Sequence, residues 1–440
     1  MKQSSRKQRG VRAALAGFGR SERGNLAVMF ALVATPLVFL AGAAVDYSRA
    51  ATLRARLQAG ADGTSLTLCQ TKKSTTTPQL QEIAEKKVKA YMSNASASVE
   101  VANDPRKITL TTQAKYDTAF VKIAGFDTID LSAVAGCQAD ERVFEIALVL
   151  DTTGSMAVSD GTMSKIDALK KASTNFVTFM FSNAALAERT KVSLVPFSAG
   201  VAVNPTTYRN AAWIDQTAQS RYHWQNIIGA PAAGFTNRLA IFSVLRTVNL
   251  PWDWAGSFEA LPYPLNVQDV APTPSNPDSY YVPMFSPDEV GNGGDSWRWD
   301  PSFGWRFSSN SYIDDETTTA GCETTPPDDL TRWSRVCKYV NAKNPRTMGY
   351  YADIGPNWMC SSLPLTQLTT SQSTLLSQIS LMKPAGNTDI HEGIIWGWRT
   401  LSPNSVFAEG VPYTQKNNTK VIVLMTDGYN TWNNVPRITT

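Results

Sequence analysis

The feature that most limits how this chain can fold is GNLAVMFALVATPLVFLAGAAV, Gly24 to Val45, 22 residues without a charged side chain. As a helix it would extend about 33 Å, and a bilayer core needs about 20 apolar residues in that form. Seven basic residues precede it (Lys2, Arg6, Lys7, Arg9, Arg12, Arg20 and Arg23) against Glu22 alone. Lysines and arginines gathered on one side hold that side in the cytoplasm. The expectation is a single-pass protein with a basic cytoplasmic tail at 1–23, a transmembrane helix at 24–45 and everything after Asp46 outside. Two other readings are a buried core helix and a cleaved signal peptide with AGA before the cut. A cleaved signal has a shorter apolar core than this run.

The tail nets +6, so the formal charge of +4 leaves the rest of the chain near −2. The basic balance is therefore local and gives no support for a nucleic-acid-binding surface. With 43% hydrophobic and 18% charged residues over 440 positions, the remainder reads as globular and as more than one domain.

All five cysteines (Cys69, Cys137, Cys322, Cys337 and Cys360) follow the apolar run, and none forms a C-x-x-C pair. That favours disulfides in an oxidising compartment over structural zinc. Cys69 with Cys137 would bracket the segment after the anchor, while Cys322, Cys337 and Cys360 compete among themselves. Five free thiols is the alternative.

Beyond the run, Ala50, Leu53, Leu57 and Ala61 keep helical spacing, so the anchor is expected to continue as one helix. A second helix, PQLQEIAEKKVKAYM, precedes three alternating stretches, ASVEVAN, KITLTTQAKY and TIDLSAVAGC, and residues 70–140 read as a small α+β module. From Val143 the pattern is a buried strand VFEIALVL, a polar turn, a helix SKIDALKKASTNFVTFMF capped by Ser164, and a second strand KVSLVPFSAGV. Strand, helix, strand is the opening of a parallel α/β domain. Residues 205–365 lose periodicity and are rich in Pro, Gly and Trp; the aromatics argue for a folded, irregular insertion, with its own small core and at least one disulfide. The α/β pattern resumes with STLLSQISLM, AGNTDIHEGIIWGWRTL and the strand KVIVLM ending in TDGYN.

Two of these strands end alike, in Asp151 after IALVL and in Asp427 after VIVLMT. Loops beyond the carboxyl ends of parallel strands form the ligand crevice, so both aspartates should emerge on one edge if their strands are near neighbours. Thr388, in the turn GNTD, could reach the same edge. With Thr153 and Ser155 they make an all-oxygen set suited to a hard cation such as Mg²⁺, and the spacing of Asp151, Thr153 and Ser155 lets one turn aim three oxygens at a point. Few protein charges would leave the ion electrophilic toward an incoming carboxylate.

DTTGS, GNTD and TDG together resemble the metal-ion-dependent adhesion site of von Willebrand factor A domains. The resemblance implies a doubly wound, Rossmann-type fold at 141–440, interrupted by the insertion, and a cation (Mg²⁺, or Mn²⁺ or Ca²⁺ in its place) held by Asp151, Thr153, Ser155, Thr388 and Asp427. It also implies a protein partner whose acidic residue completes the shell. Thr153 stands where the family often has Ser. Only 13 residues follow Asp427, where the family fold continues with another helix and strand, so a truncated carboxyl end is expected.

The stretch RGNLAVMFALVATPLVFLAGAAVDYSRAATLRARLQAGADGTSL resembles the amino-terminal segment of TadE/TadG-like proteins of tight-adherence (Flp) pilus assembly, with one membrane helix broken by Pro36. Pilin-like relatives carry Glu five residues after the processing glycine; Met29 stands there, which favours a permanent anchor. The combined expectation is an α/β, TadG-like, non-enzymatic component of pilus assembly, anchored in a bacterial inner membrane with a stalk and α+β module at 46–140 and its body in the periplasm. Its partner would be another pilus-assembly protein. The alternative is a surface or secreted adhesin using the same metal site on a host or matrix ligand.

Enzyme readings fare worse. Thr152 splits the D-T-G-S of aspartic proteases, and TDG is not a second copy. Serine hydrolysis has only Ser296 in GGDSW as a weak nucleophile candidate, with His223 or His391 as base. Trp252, Trp254, Trp297 and Trp299 could stack on glycans or a partner, but the insertion's own core is the simpler use of them.

Overall fold

The structure is a computed structural model and describes residues 23–103, 106–139, 142–159, 161–288, 297–300, 304–307, 310–314, 334–344, 355–358 and 360–431, with side chains at 23–27 and 297–307 left aside. The basic tail up to residue 22, Ser296 and Cys322 lie outside the described residues, as do the side chains of Trp297 and Trp299. The chain divides into two compact units, Met1–Glu141 and Arg142–Thr440.

In the first unit, helix α1 (Arg23–Cys69) is continuous and runs through Pro36. The expected break at Pro36 does not occur: the proline removes the N–H that would bond Leu32 O and crowds the preceding turn, yet the helix continues on both sides of it. Among the described residues it is the one helix long and apolar enough to cross a membrane. Its apolar end is exposed, Phe30 at 73% and Leu32 at 69%, where a soluble core helix would be covered.

The other half of α1 is amphipathic. Ala50, Leu57, Ala61 and Leu68 are buried along one face. That face packs with α2 (Thr77–Tyr91) on an antiparallel sheet of β1 (Ser96–Ala102), β2 (Lys107–Asp117) and β3 (Thr128–Gln138), in the order β1-β2-β3. Inward residues alternate along the strands, as Ile108, Leu110 and Thr112 do on β2. Cys69 and Cys137 form a disulfide that ties the end of α1 to β3. Asp46 is fully buried and holds the β2–β3 turn through three backbone N–H donors.

The second unit is built on a four-stranded sheet with order β8-β5-β4-β9. Strand β4 (Val143–Asp151) lies between β5 (Thr190–Phe197) and β9 (Asn418–Met425), parallel to both, and β8 (Thr366–Thr369) adds antiparallel to β5. The β4–β5 crossover contains α3 (Lys165–Ser182), whose N-cap Ser164 accepts the Asp167 N–H at 3.2 Å. Ile146, Leu148 and Leu150 of β4 face α3 and α5 (Gln372–Leu381), whereas Ala147 and Val149 face α6 (Ile390–Leu401). Burial on both faces is why this strand reads as an unbroken apolar run.

The insertion differs from expectation in two ways. It contains a helix, α4 (Arg238–Val248), burying Leu239, Ile241, Phe242 and Leu245. Its aromatics also do not make a separate core. Trp252, Trp254, Phe258, Tyr281 and Phe285 share one cluster with Val149, Phe197 and Trp396, and Phe258 stacks on Trp396 at 5.7 Å. The insertion serves as cover for that face of the sheet, because a parallel sheet needs both faces buried. The hairpin of β6 (Trp297–Asp300) and β7 (Gly304–Phe307) also falls within it. Cys337 is disulfide-bonded and Cys360 is free, its thiol pushed up to about 11 by burial.

Candidate functional site

The site is assembled by register. Leu150 pairs with Met425 across the parallel β4–β9 ladder, so Asp151 and Asp427 leave adjacent strands at the same edge. Asp151 is fully buried, and both its oxygens are engaged: the Thr153 N–H donates to Oδ1 at 2.9 Å and the Thr426 hydroxyl to Oδ2 at 2.7 Å. From there the polar chain continues outward. Thr153 Oγ1 and Ser155 Oγ are 3.0 Å apart, and the Ser155 hydroxyl donates to Asp427 Oδ1 at 2.8 Å.

Lys165, the first residue of α3, donates from Nζ to Asp427 Oδ2 at 2.6 Å. Burial would raise the Asp427 pKa, but the hydrogen bonds from Lys165 and Ser155 and the ammonium charge outweigh it and hold the carboxyl below its ordinary value.

Thr388 joins through its loop. Gly154 N–H donates to Gly386 O at 2.9 Å and Ala385 N–H to Thr152 O at 2.8 Å, so the two loops are stitched backbone to backbone. Gly386 has φ +80°, and a Cβ there would meet Ser361 Oγ at 2.4 Å, so the close approach requires glycine. Thr388 is buried; its carbonyl accepts the Thr431 N–H at 3.0 Å and its own N–H donates to the Thr431 hydroxyl at 2.9 Å, beyond β9. Its neighbour Asp389 caps α6; burial first, then Glu392, pushes its carboxyl up to about 6.

The structure thus links Asp151, Thr153, Ser155 and Asp427 by hydrogen bonds, directly or through Thr426, and brings the Thr388 loop against them. Sequence reasoning missed Lys165 and Thr426. Thr426 is legible in retrospect as the residue opposite Asp151 once the register is known. Nothing in the local sequence distinguishes Lys165 from the other lysines of its helix.

Chemically the donors are two carboxylates and hydroxyls, with an ammonium already seated on one carboxylate. That set suits a hard cation that keeps waters. Among the described residues, no group of three or more His, Cys, Asp or Glu could hold a metal ion. The catalytic histidine candidates are otherwise engaged. His223 is buried with Nδ1 at 2.7 Å from Asp215, while Nε2 accepts the Arg238 N–H at 3.0 Å. His391 Nε2 lies 3.4 Å from Asn266.

The structural comparisons return low similarity. A PilB minor pilin from Streptococcus sanguinis is 20% identical over 24% of this chain and 31% of its own, with a TM-score of 0.12. The pilus adhesin SpaC from Lactobacillus rhamnosus GG is 19% identical over 24% of this chain and 11% of its own, TM-score 0.13; its open conformation is 14% identical over 49% and 21%, TM-score 0.12. The chain therefore spans less than a third of the length of these proteins, and likenesses of this size carry no argument about fold or function. No curated protein matches the chain. Residues 24–67 do match the family model for Flp pilus-assembly TadE/G-like sequences, which identifies a TadE/G-like segment at the amino terminus, over the apolar run and nearly all of the amphipathic half of α1.

Proposed function

We propose that the chain is a membrane-anchored, non-enzymatic component of Flp pilus assembly, whose larger unit binds an acidic group on a protein partner through a divalent cation. Asp151, Thr153, Ser155, Thr388 and Asp427 would hold the ion, Mg²⁺ in the first instance. When bound, it supplies an electrophilic centre whose shell an incoming carboxylate completes. The observation that carries the reading is the convergence of Ser155 and Asp427, 272 residues apart, at the carboxyl edge of a parallel sheet in a chain with a TadE/G-like segment. In this reading, residues 24–45 anchor the protein in the inner membrane with its body in the periplasm, and the von Willebrand A-like pattern describes the second unit.

The test is thermal unfolding of the full chain in detergent, with and without Mg²⁺ or Mn²⁺. At 100 times the dissociation constant, a ligand specific to the native state adds about 2.7 kcal/mol. Wild type should therefore show a raised midpoint and Asp151→Ala should not. A wild-type midpoint indifferent to both ions rules the metal site out.

A further inference from the structure

We propose that the β2–β3 turn, residues 118–127, is a membrane-contacting loop whose apolar side chains rest in the bilayer leaflet at the carboxyl end of the α1 span. The inference rests on reading Gly24–Val45 as a span. The turn reads TAFVKIAGFD, and it exposes what a surface turn normally avoids: Ile123 is 84% exposed, Phe126 66% and Phe120 41%. A contiguous exposed apolar group of this kind marks an interaction surface.

The depth of the turn is set by α1. Asp46 accepts the backbone N–H groups of Ala119, Phe120 and Val121 at 3.0, 2.7 and 2.9 Å, and the Tyr116 hydroxyl at 3.1 Å. These bonds fasten the turn at the first charged position after the apolar run. One turn of helix earlier, Phe120 lies over Gly42 so closely that a Cβ on the glycine would be 2.7 Å from the ring. Gly42 is about 27 Å along the helix from Gly24, at the far boundary of a hydrocarbon core about 30 Å thick.

Continuity with the span selects the occupant. A soluble partner reaching Ile123 and Phe126 would have to enter the layer that lipid already fills around Val45. The chemistry of the rim agrees: Tyr47 on α1 is 75% exposed at the level where aromatic residues concentrate, and the exposed pair Lys122 and Asp127, 3.9 Å apart, has in the long lysine stem the reach to keep its charges at the headgroups.

The test uses full-length protein in nanodiscs of phosphatidylethanolamine and phosphatidylglycerol, with trifluoromethyl-phenylalanine placed singly at Phe126, at Phe30 within the run, or at exposed Leu66 farther along α1. Fluorine NMR linewidths are read with a lipid spin-labelled near its glycerol end and with a water-soluble gadolinium chelate. Positions 126 and 30 should broaden several-fold more than 66 with the lipid label, and 66 should broaden more with the chelate. If 30 follows the lipid label but 126 behaves like 66, the loop proposal fails and the span stands. If 30 is also insensitive to the lipid label, both fail. Protection of 126 from both reagents would mean that a second copy of the chain covers the loop, which also overturns the proposal.

Discussion

Lys165 shows how a single side chain can set the behaviour of the site. Its ammonium lies on the Asp427 carboxylate that a divalent cation would also need. Removing a like charge from a cation site favours the cation, but Lys165 is partly exposed, so solvent screens the gain. An ion pair of this kind is worth about 0–1 kcal/mol, so on the proposed cation reading Lys165→Met should tighten Mg²⁺ binding by up to about fivefold in calorimetric titration. Weaker binding in that variant would mean that the lysine supports the site and does not compete for it. A second residue-scale prediction concerns His223, whose pKa burial lowers against the opposing pull of Asp215. A histidine depressed in the folded state contributes stability that is present above its unfolded pKa, about 6.5, and is lost as pH falls. Wild type should therefore be more stable than His223→Gln at pH 7, and the gap should narrow toward pH 5 when midpoints are compared at each pH. Asp151 and Asp427 were legible in the sequence because each ends an apolar run. The partnership of Lys165 was not, because it depends on where the start of α3 falls relative to β9.

At the scale of elements, the approach of α6 to the sheet is set by two glycines. A Cβ at Gly397 would lie 2.5 Å from Val149 Cγ2, and one at Gly393 would lie 2.8 Å from the Phe197 ring. Gly397→Ala gains about 1 kcal/mol in helix propensity but overpacks a closed core, which costs about 1–3 kcal/mol. The expected result is a net loss in denaturant unfolding. In a Val149→Ala background, the same substitution should cost less, and additive effects would show that the contact is not the cause. The strand at 143–151, the cap at Ser164 and the helix after it follow from local pattern alone. Helix α4 did not, because its apolar positions Leu239, Phe242 and Leu245 sit among prolines, glycines and tryptophans that mask the period. Strand β8, the short polar segment TQLT, carries no alternating signal and becomes a strand only because β5 offers it an edge.

Over the whole molecule, the first unit depends on a staple that a small core needs. Cys69–Cys137 closes a loop over a sequence separation of 68, and its removal as Cys69→Ser with Cys137→Ser should cost about 2–4 kcal/mol. Hydrogen exchange on the full chain should report that loss in β1 to β3 and α2, while β4 and β5 in the second unit keep their protection. Faster exchange in both units would show that they unfold together.

The sequence by itself determined a membrane-length apolar helix, an α+β module, a parallel α/β pattern and an oxygen-rich edge, because charge-free length, periodicity and strand-end polarity are local properties. The tertiary structure decided which distant groups meet. The β4–β9 register carries Thr426 onto Asp151 across 275 residues, the placement of the start of α3 beside β9 seats Lys165 on Asp427, and the need to bury both sheet faces draws the insertion's aromatics into a common core. Such pairings depend on the three-dimensional approach of segments, which a one-dimensional pattern does not encode.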